Sequence, residues 1–172
     1  HANALVSIAT LLAMLRQGGV SYRVASFSGG QAKNAIPAFG TATIVLSATE
    51  EDRAKAIIET FRAEFVEAFG NIESDMVFTT TFGDTAPDRV LTGEVGYGMV
   101  GLMTTVPNTV HTMSPFIDGL VESSANLGVV SVDEDMVRFT VFARSSVAYQ
   151  ATQIGVICSA LANSFGFTFD SE

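Results

Sequence analysis

Apolar and polar residues follow two periods along this chain. Leu5, Ile8, Leu12 and Leu15 recur at helical spacing and predict a helix over residues 3–17, with Asn3 as its N-cap and Gly18-Gly19 as its stop. Val20, Tyr22 and Val24 then alternate with Ser21, Arg23 and Ala25, which predicts a strand over 20–27, broken by Ser28-Gly29-Gly30. A second strand is expected over 41–47, with Ala42, Ile44 and Leu46 on one face. Thr49-Glu50-Glu51-Asp52 opens a helix, with Thr49 capping and three acids at the positive end of the dipole. Ile57, Ile58, Phe61, Phe65 and Phe69 form its inward stripe, and Gly70-Asn71 ends it. Thr- and Phe-rich residues 76–82 predict a third strand.

After the loop 83–89, a helix is expected over 90–106. It carries Gly93, Gly96, Gly98 and Gly101, each costing helix propensity, which points to close packing. Pro107-Asn108 ends it, and the stretch to Pro115 reads as a loop. Residues 120–132 form an extended run that pairs with a strand over 136–144 across the tight Asp133-Glu134-Asp135 turn. A last helix spans 147–164, with Ala151, Ile154, Ile157, Leu161 and Phe165 inward, before a short strand over 167–169.

The element order is thus α-β-β-α-β, twice. This predicts an α+β fold of two ferredoxin-like halves, about 1–83 and 84–172, with a mainly antiparallel sheet covered by helices. The first half then lacks its opening strand. The chain also begins His1-Ala2-Asn3 and enters a helix at once, without a secretory leader pattern. We expect a single domain cut from a longer chain; a processed N-terminus is the alternative.

Composition narrows the function. Nine Lys and Arg against 18 Asp and Glu give a net charge of -9, which suits neither a phosphate backbone nor an anionic membrane surface. No apolar helical segment is long enough to span a bilayer. One cysteine excludes a disulfide framework and suits a reducing compartment, so we expect a cytoplasmic protein. Two histidines and that cysteine are a poor zinc set, and no calcium-loop, P-loop, GxSxG, CxxC or HExxH pattern occurs.

Two residues stand out as binding candidates. In Gly29-Gly30-Gln31-Ala32-Lys33-Asn34-Ala35-Ile36-Pro37 the glycines permit a sharp turn and Pro37 stiffens the exit, which presents the Asn34 amide; an ordinary Asx-turn is the alternative. Arg144, at a strand end, suits bidentate binding of a carboxylate; a solvated sheet-face arginine is the alternative. His111 has no adjacent carboxylate to orient it and reads as a surface histidine. Cys158 reads as a buried structural thiol.

These pieces, in order, resemble one family. Gly29-Gly30 with Asn34-Ala35-Ile36-Pro37, the run from Gly119-Leu120-Val121-Glu122 to Ala125-Asn126-Leu127-Gly128, and Ala143-Arg144-Ser145-Ser146 resemble the lid, or dimerisation, domain of aminoacyl-histidine dipeptidases among the aminoacylase/carboxypeptidase-type zinc peptidases. The resemblance implies a parent dipeptidase, of Xaa-His or broad specificity, with two zinc ions per subunit held by a separate catalytic domain. It implies that this lid is inactive alone, forms a homodimer, and closes over a dipeptide. Asn34 and Arg144 match the family's substrate-binding Asn and Arg. The family's lid histidine lies in a Gly-Gly-His-Ser stretch that this chain lacks, and neither His1 nor His111 matches it. A purely structural dimerisation module and a free-standing small-ligand-binding domain are the competing readings.

Overall fold

The computed structural model describes all 172 residues, His1–Glu172. Helix α1 (Ala4–Gln17) leads into strands β1 (Tyr22–Gly29) and β2 (Gly40–Leu46), and a short 3-10 turn opens α2 (Glu51–Phe69). Then come α3 (Gly93–Thr105), β3 (Thr109–Met113), β4 (Val121–Val132), β5 (Val137–Ser145) and α4 (Ala148–Ser164). The fold is α+β, as the patterning predicts: one antiparallel five-stranded sheet with its helices on one face.

The sequence periods explain how the sheet keeps its faces. Tyr22, Val24 and Phe27 are all buried, although the step from 24 to 27 breaks a period of two. A bulge between Val24 and Ser26 absorbs the extra residue. Likewise Ala125, Leu127 and Val130 point inward because β4 bulges between Leu127 and Val129. Without these bulges a one-residue slip would turn half of each strand's apolar side chains to solvent.

The main core joins α1 (Leu5, Leu12, Leu15), α2 (Ile58, Phe61), α3 (Met99, Met103) and the inner face of β1 and β4. A small second cluster holds Ala125 against Ile154 and Cys158 of α4. The glycines of α3 do pack closely. A Cβ at Gly98 would lie 2.5 Å from the Phe165 carbonyl oxygen, and one at Gly101 would strike the Phe165 ring.

Several elements differ from the sequence reading. Residues 76–82 form no strand. They belong to an irregular run along α2, where Phe78 packs on Phe61 and Phe65 and its carbonyl accepts from Arg62 at 2.7 Å. Residues 167–169 form no strand either; the Phe167 ring instead meets Phe139 edge-on at 4.9 Å. Conversely, 109–113 is an edge strand where a loop was expected. The order is therefore α-β-β-α followed by α-β-β-β-α, on one shared sheet, in place of two identical α-β-β-α-β units. Ser47, rather than Thr49, caps the turn before α2. In α4 the buried stripe is Ile154, Cys158 and Ala162, and Ala151 is exposed.

Candidate functional site

Strand β4 organises the site. On one side β5 pairs with it along most of its length. On the other, two partners share it: β3 against Val121–Ala125 register positions, and β1 only at Val130 and Ser131. Between them a stretch around Leu127 has no strand beside it. Asparagine side chains fill the gap. Asn108 Oδ1 accepts from the Leu127 backbone N–H at 3.0 Å, and Asn3 Nδ2 donates to the Leu127 carbonyl at 2.9 Å. A primary amide offers a donor and an acceptor like a peptide group, so the pair replaces a missing strand at one residue.

Asn3 is also the N-cap of α1 that the sequence predicts. Its Oδ1 accepts from the Leu5 N–H at 3.0 Å and the Val6 N–H at 3.3 Å. Its Nδ2 also donates to Asn108 Oδ1 at 2.9 Å, and one of its two N–H groups is shared with Asn126 Oδ1 in a longer contact at 3.3 Å. Asn126 Nδ2 in turn donates to the Ala35 carbonyl at 2.7 Å and the Lys33 carbonyl at 3.3 Å. Helix α1, the α3–β3 junction, strand β4 and the turn bearing Asn34 are thereby one polar assembly.

That turn follows β1. Gly30 takes a left-handed φ of 79°, as the Gly-Gly pair suggests, and a Cβ there would fall 1.9 Å from the Gly128 carbonyl oxygen. The Ala35 N–H closes the turn onto the Ala32 carbonyl at 3.3 Å, so backbone and not the Asn34 side chain makes it. Farther on, the Ala4 N–H donates to the Pro37 carbonyl at 2.9 Å. Asn34 itself is exposed.

Arg144 sits near the end of β5, opposite Ser124, and is also exposed. The chain's four ion pairs are His1–Glu73, Lys33–Glu172, Lys55–Glu51 and Arg62–Glu59, so Arg144 carries an unpaired positive charge. Its backbone is fixed where its side chain is not. Just beyond it the Ser146 N–H donates to the Glu122 carbonyl at 3.1 Å, and Ser145 Oγ accepts from the Val147 N–H at 3.0 Å. Beside this junction Gln150 of α4 bonds Glu122, Ser123 and Thr112, tying α4 to both strands.

Register places Arg144 on the sheet face turned away from the helices, and the turn that carries Asn34 lies near that face through its neighbour Lys33. Asn126 pairs with Phe142 and Ser124 with Arg144, and strand alternation turns all four away from the helices. The Lys33 ammonium lies 6.0 Å from the Phe142 ring centre, so the Asn34 turn approaches that same open face. Arg144 follows Phe142 by two residues, about 7 Å along the strand. An exposed amide can hydrogen-bond a carbonyl, and an exposed guanidinium can pair with a carboxylate.

Other polar candidates lie elsewhere. His111 is exposed on β3, and Cys158 is buried, with its thiol pushed up by burial. No group of three or more His, Cys, Asp or Glu side chains is arranged to hold a metal ion. No helix is long and apolar enough to cross a membrane. The sequence marks Asn3 as a cap, Asn108 as part of a helix stop and Asn126 as part of the family-like stretch, but assigns none of them to a polar network. A signal for Asn126 existed, since asparagine is a poor strand residue and sits mid-strand here.

Comparison with known proteins bears on this geometry. Residues 1–73 match the family model of the peptidase dimerisation domain. Over 126 residues the chain is 28% identical to the cytosol non-specific dipeptidase of Escherichia coli, covering 73% of this chain and 26% of that protein. The crystal structure of the aminoacylhistidine dipeptidase from Vibrio alginolyticus matches with a TM-score of 0.85 and 26% identity, over 96% of this chain and 33% of that one. The chain thus spans about a quarter to a third of the relatives it matches. The resemblance read from the motifs holds in both sequence and fold.

Proposed function

We propose that this dimerisation domain of the aminoacyl-histidine dipeptidase type serves as the lid of a larger peptidase, with Asn34 and Arg144 binding the C-terminal side of a dipeptide. The observation that supports the reading is that both are exposed polar groups on backbones held from behind: an amide on the turn whose Lys33 approaches Phe142, and an unpaired guanidinium two residues beyond Phe142 on β5. Arg144 pairs with the terminal carboxylate and Asn34 hydrogen-bonds the adjacent peptide group. A carboxylate clamped at one point limits substrate length, because a longer peptide puts its carboxylate elsewhere. Lid closure excludes water and strengthens both contacts.

The reaction itself belongs to a catalytic domain outside this chain. In this reading that domain holds the two zinc ions implied by the resemblance, and this chain's own contribution is to bind and orient the substrate. A homodimer is part of the same proposal. The outer edges of β2 and β5 have no strand beside them and give a second copy a backbone ladder to join. The cytosolic relative supports a cytoplasmic location.

The test is hydrolysis of a dipeptide series by the full-length protein carrying Asn34→Ala or Arg144→Ala, with sedimentation showing that the dimer persists. Loss of the arginine should cost several kcal/mol in kcat/KM, about 2–5 for a buried charge left without its partner. A dimer that stays intact with unchanged kcat/KM in both variants would leave only the structural dimerisation role.

A further inference from the structure

We infer that Asn126 is a positioning residue whose side-chain amide fixes the 33–35 turn and so sets Asn34 against the face that bears Arg144. Asn126 makes the only side-chain hydrogen bonds that reach this turn, at 2.7 Å to the Ala35 carbonyl and 3.3 Å to the Lys33 carbonyl. The two carbonyls bracket Asn34. One planar amide bonding both sides of a residue holds the orientation of that residue as well as its position.

The direction of the Asn126 amide is itself fixed. Its Oδ1 accepts from Asn3 Nδ2 at 3.3 Å, which turns its N–H groups toward the turn. Asn3 is only 7% exposed and is anchored by the first turn of α1, by Asn108 and by the Leu127 carbonyl. The chain of constraint therefore runs from the core to the candidate ligand through three asparagines. Backbone packing acts in the same sense. A Cβ at Gly128 would fall 2.5 Å from the Lys33 carbonyl oxygen, so the turn rests directly on the β4 bulge. The side-chain contacts of Lys33, with Glu172 at 3.7 Å and with the Phe142 ring at 6.0 Å from its centre, are exposed or long and contribute little.

For hydrolysis the inference rests on the proposed substrate role of Asn34; for the order of the turn it does not. Asn126→Asp tests it in the full-length protein. The carboxylate keeps the shape of asparagine and can still accept from Asn3, but it donates nothing and faces two carbonyl oxygens. A side chain that only fills space would not distinguish the two. Hydrogen exchange of the peptide spanning residues 30–37 should quicken about tenfold or more, the loss of one net hydrogen bond, while α1 and α4 keep their protection. Dipeptide hydrolysis should lose about tenfold in kcat/KM, mainly through KM, and Asn126→Asp should add nothing in an Asn34→Ala background.

Unchanged exchange in residues 30–37 overturns the inference. A loosened turn, together with normal hydrolysis by Asn34→Ala, upholds Asn126 as the positioning residue of the turn and overturns the substrate role of Asn34 instead. Should the aspartate variant unfold, Asn126→Leu gives the same reading: it fills about the same space, brings no charge and donates to neither the Lys33 nor the Ala35 carbonyl.

Discussion

Replacing Asn3 by aspartate separates two roles that one side chain combines. As helix N-caps, asparagine and aspartate are nearly equivalent, and a carboxylate also gains about 0.3–1 kcal/mol from the helix dipole. If Asn3 were only a cap, Asn3→Asp would leave stability unchanged and Asn3→Ala would cost about 1 kcal/mol. The surroundings of Asn3 predict otherwise. Its Nδ2 faces three oxygens, from Asn108, Asn126 and Leu127, at 2.9–3.3 Å. A carboxylate there supplies no proton to any of them. At the buried Leu127 carbonyl, the lost partner alone costs about 1–3 kcal/mol, and repulsion adds to it. We therefore expect Asn3→Asp to destabilise by about 1–3 kcal/mol even though the cap is retained. Urea unfolding with equal m-values would measure it. Acid gives a second check. The introduced carboxyl would titrate above its unfolded pKa, so its penalty is absent below the unfolded value and grows as pH rises through the folded one. The gap to wild type should narrow toward pH 4. An aspartate variant within about 0.5 kcal/mol of wild type at pH 7 would refute the network and leave only a cap.

Two further predictions concern packing and the core. Gly98→Ala gains helix propensity but drives a methyl to 2.5 Å from the Phe165 carbonyl, so it should destabilise by about 1–3 kcal/mol; Gly155→Ala, with nothing within 4 Å, should stabilise by about 0.5–1 kcal/mol, and thermal melts of the pair would check the contrast. Burial pushes the Tyr22 hydroxyl from the usual 10 to about 12, and it donates to the Leu12 carbonyl at 2.8 Å. The stability this gives is present below pH 10 and is lost as pH climbs toward 12; Tyr22→Phe should flatten that alkaline slope in urea titrations.

The sequence was most legible where a period was long and its stop signals strong. Helix α1, with the Asn3 cap and the Gly18-Gly19 stop, lies where the pattern puts it, and so does the β4–β5 hairpin across Asp133-Glu134-Asp135. Failures came where strand propensity stood in for a partner. Residues 76–82 have the composition of a strand, but Phe78 gains more by covering Phe61 and Phe65 than by joining a ladder. Thr109–Met113 shows the converse: an edge strand with exposed Val110, His111 and Met113 offers no alternation to read. Asn34 and Arg144 stand out through motifs, whereas the face that Arg144 takes depends on the register of β4 with β5. An asparagine in mid-strand marks Asn126 as unusual, but its partners are not legible, because Asn3 meets Asn108 across 105 residues and Asn126 across 123.

The gap beside Leu127 has a consequence for how such a domain can change over generations. A ladder of peptide groups is nearly blind to side-chain identity, so mutation seldom loosens it. Here the β1–β2 hairpin and the β3–β4–β5 meander share only two backbone register pairs, and amides from Asn3 and Asn108 complete the seam. That seam is written in codons. A single base change can alter how firmly the two blocks are held together while leaving each block's own ladder untouched.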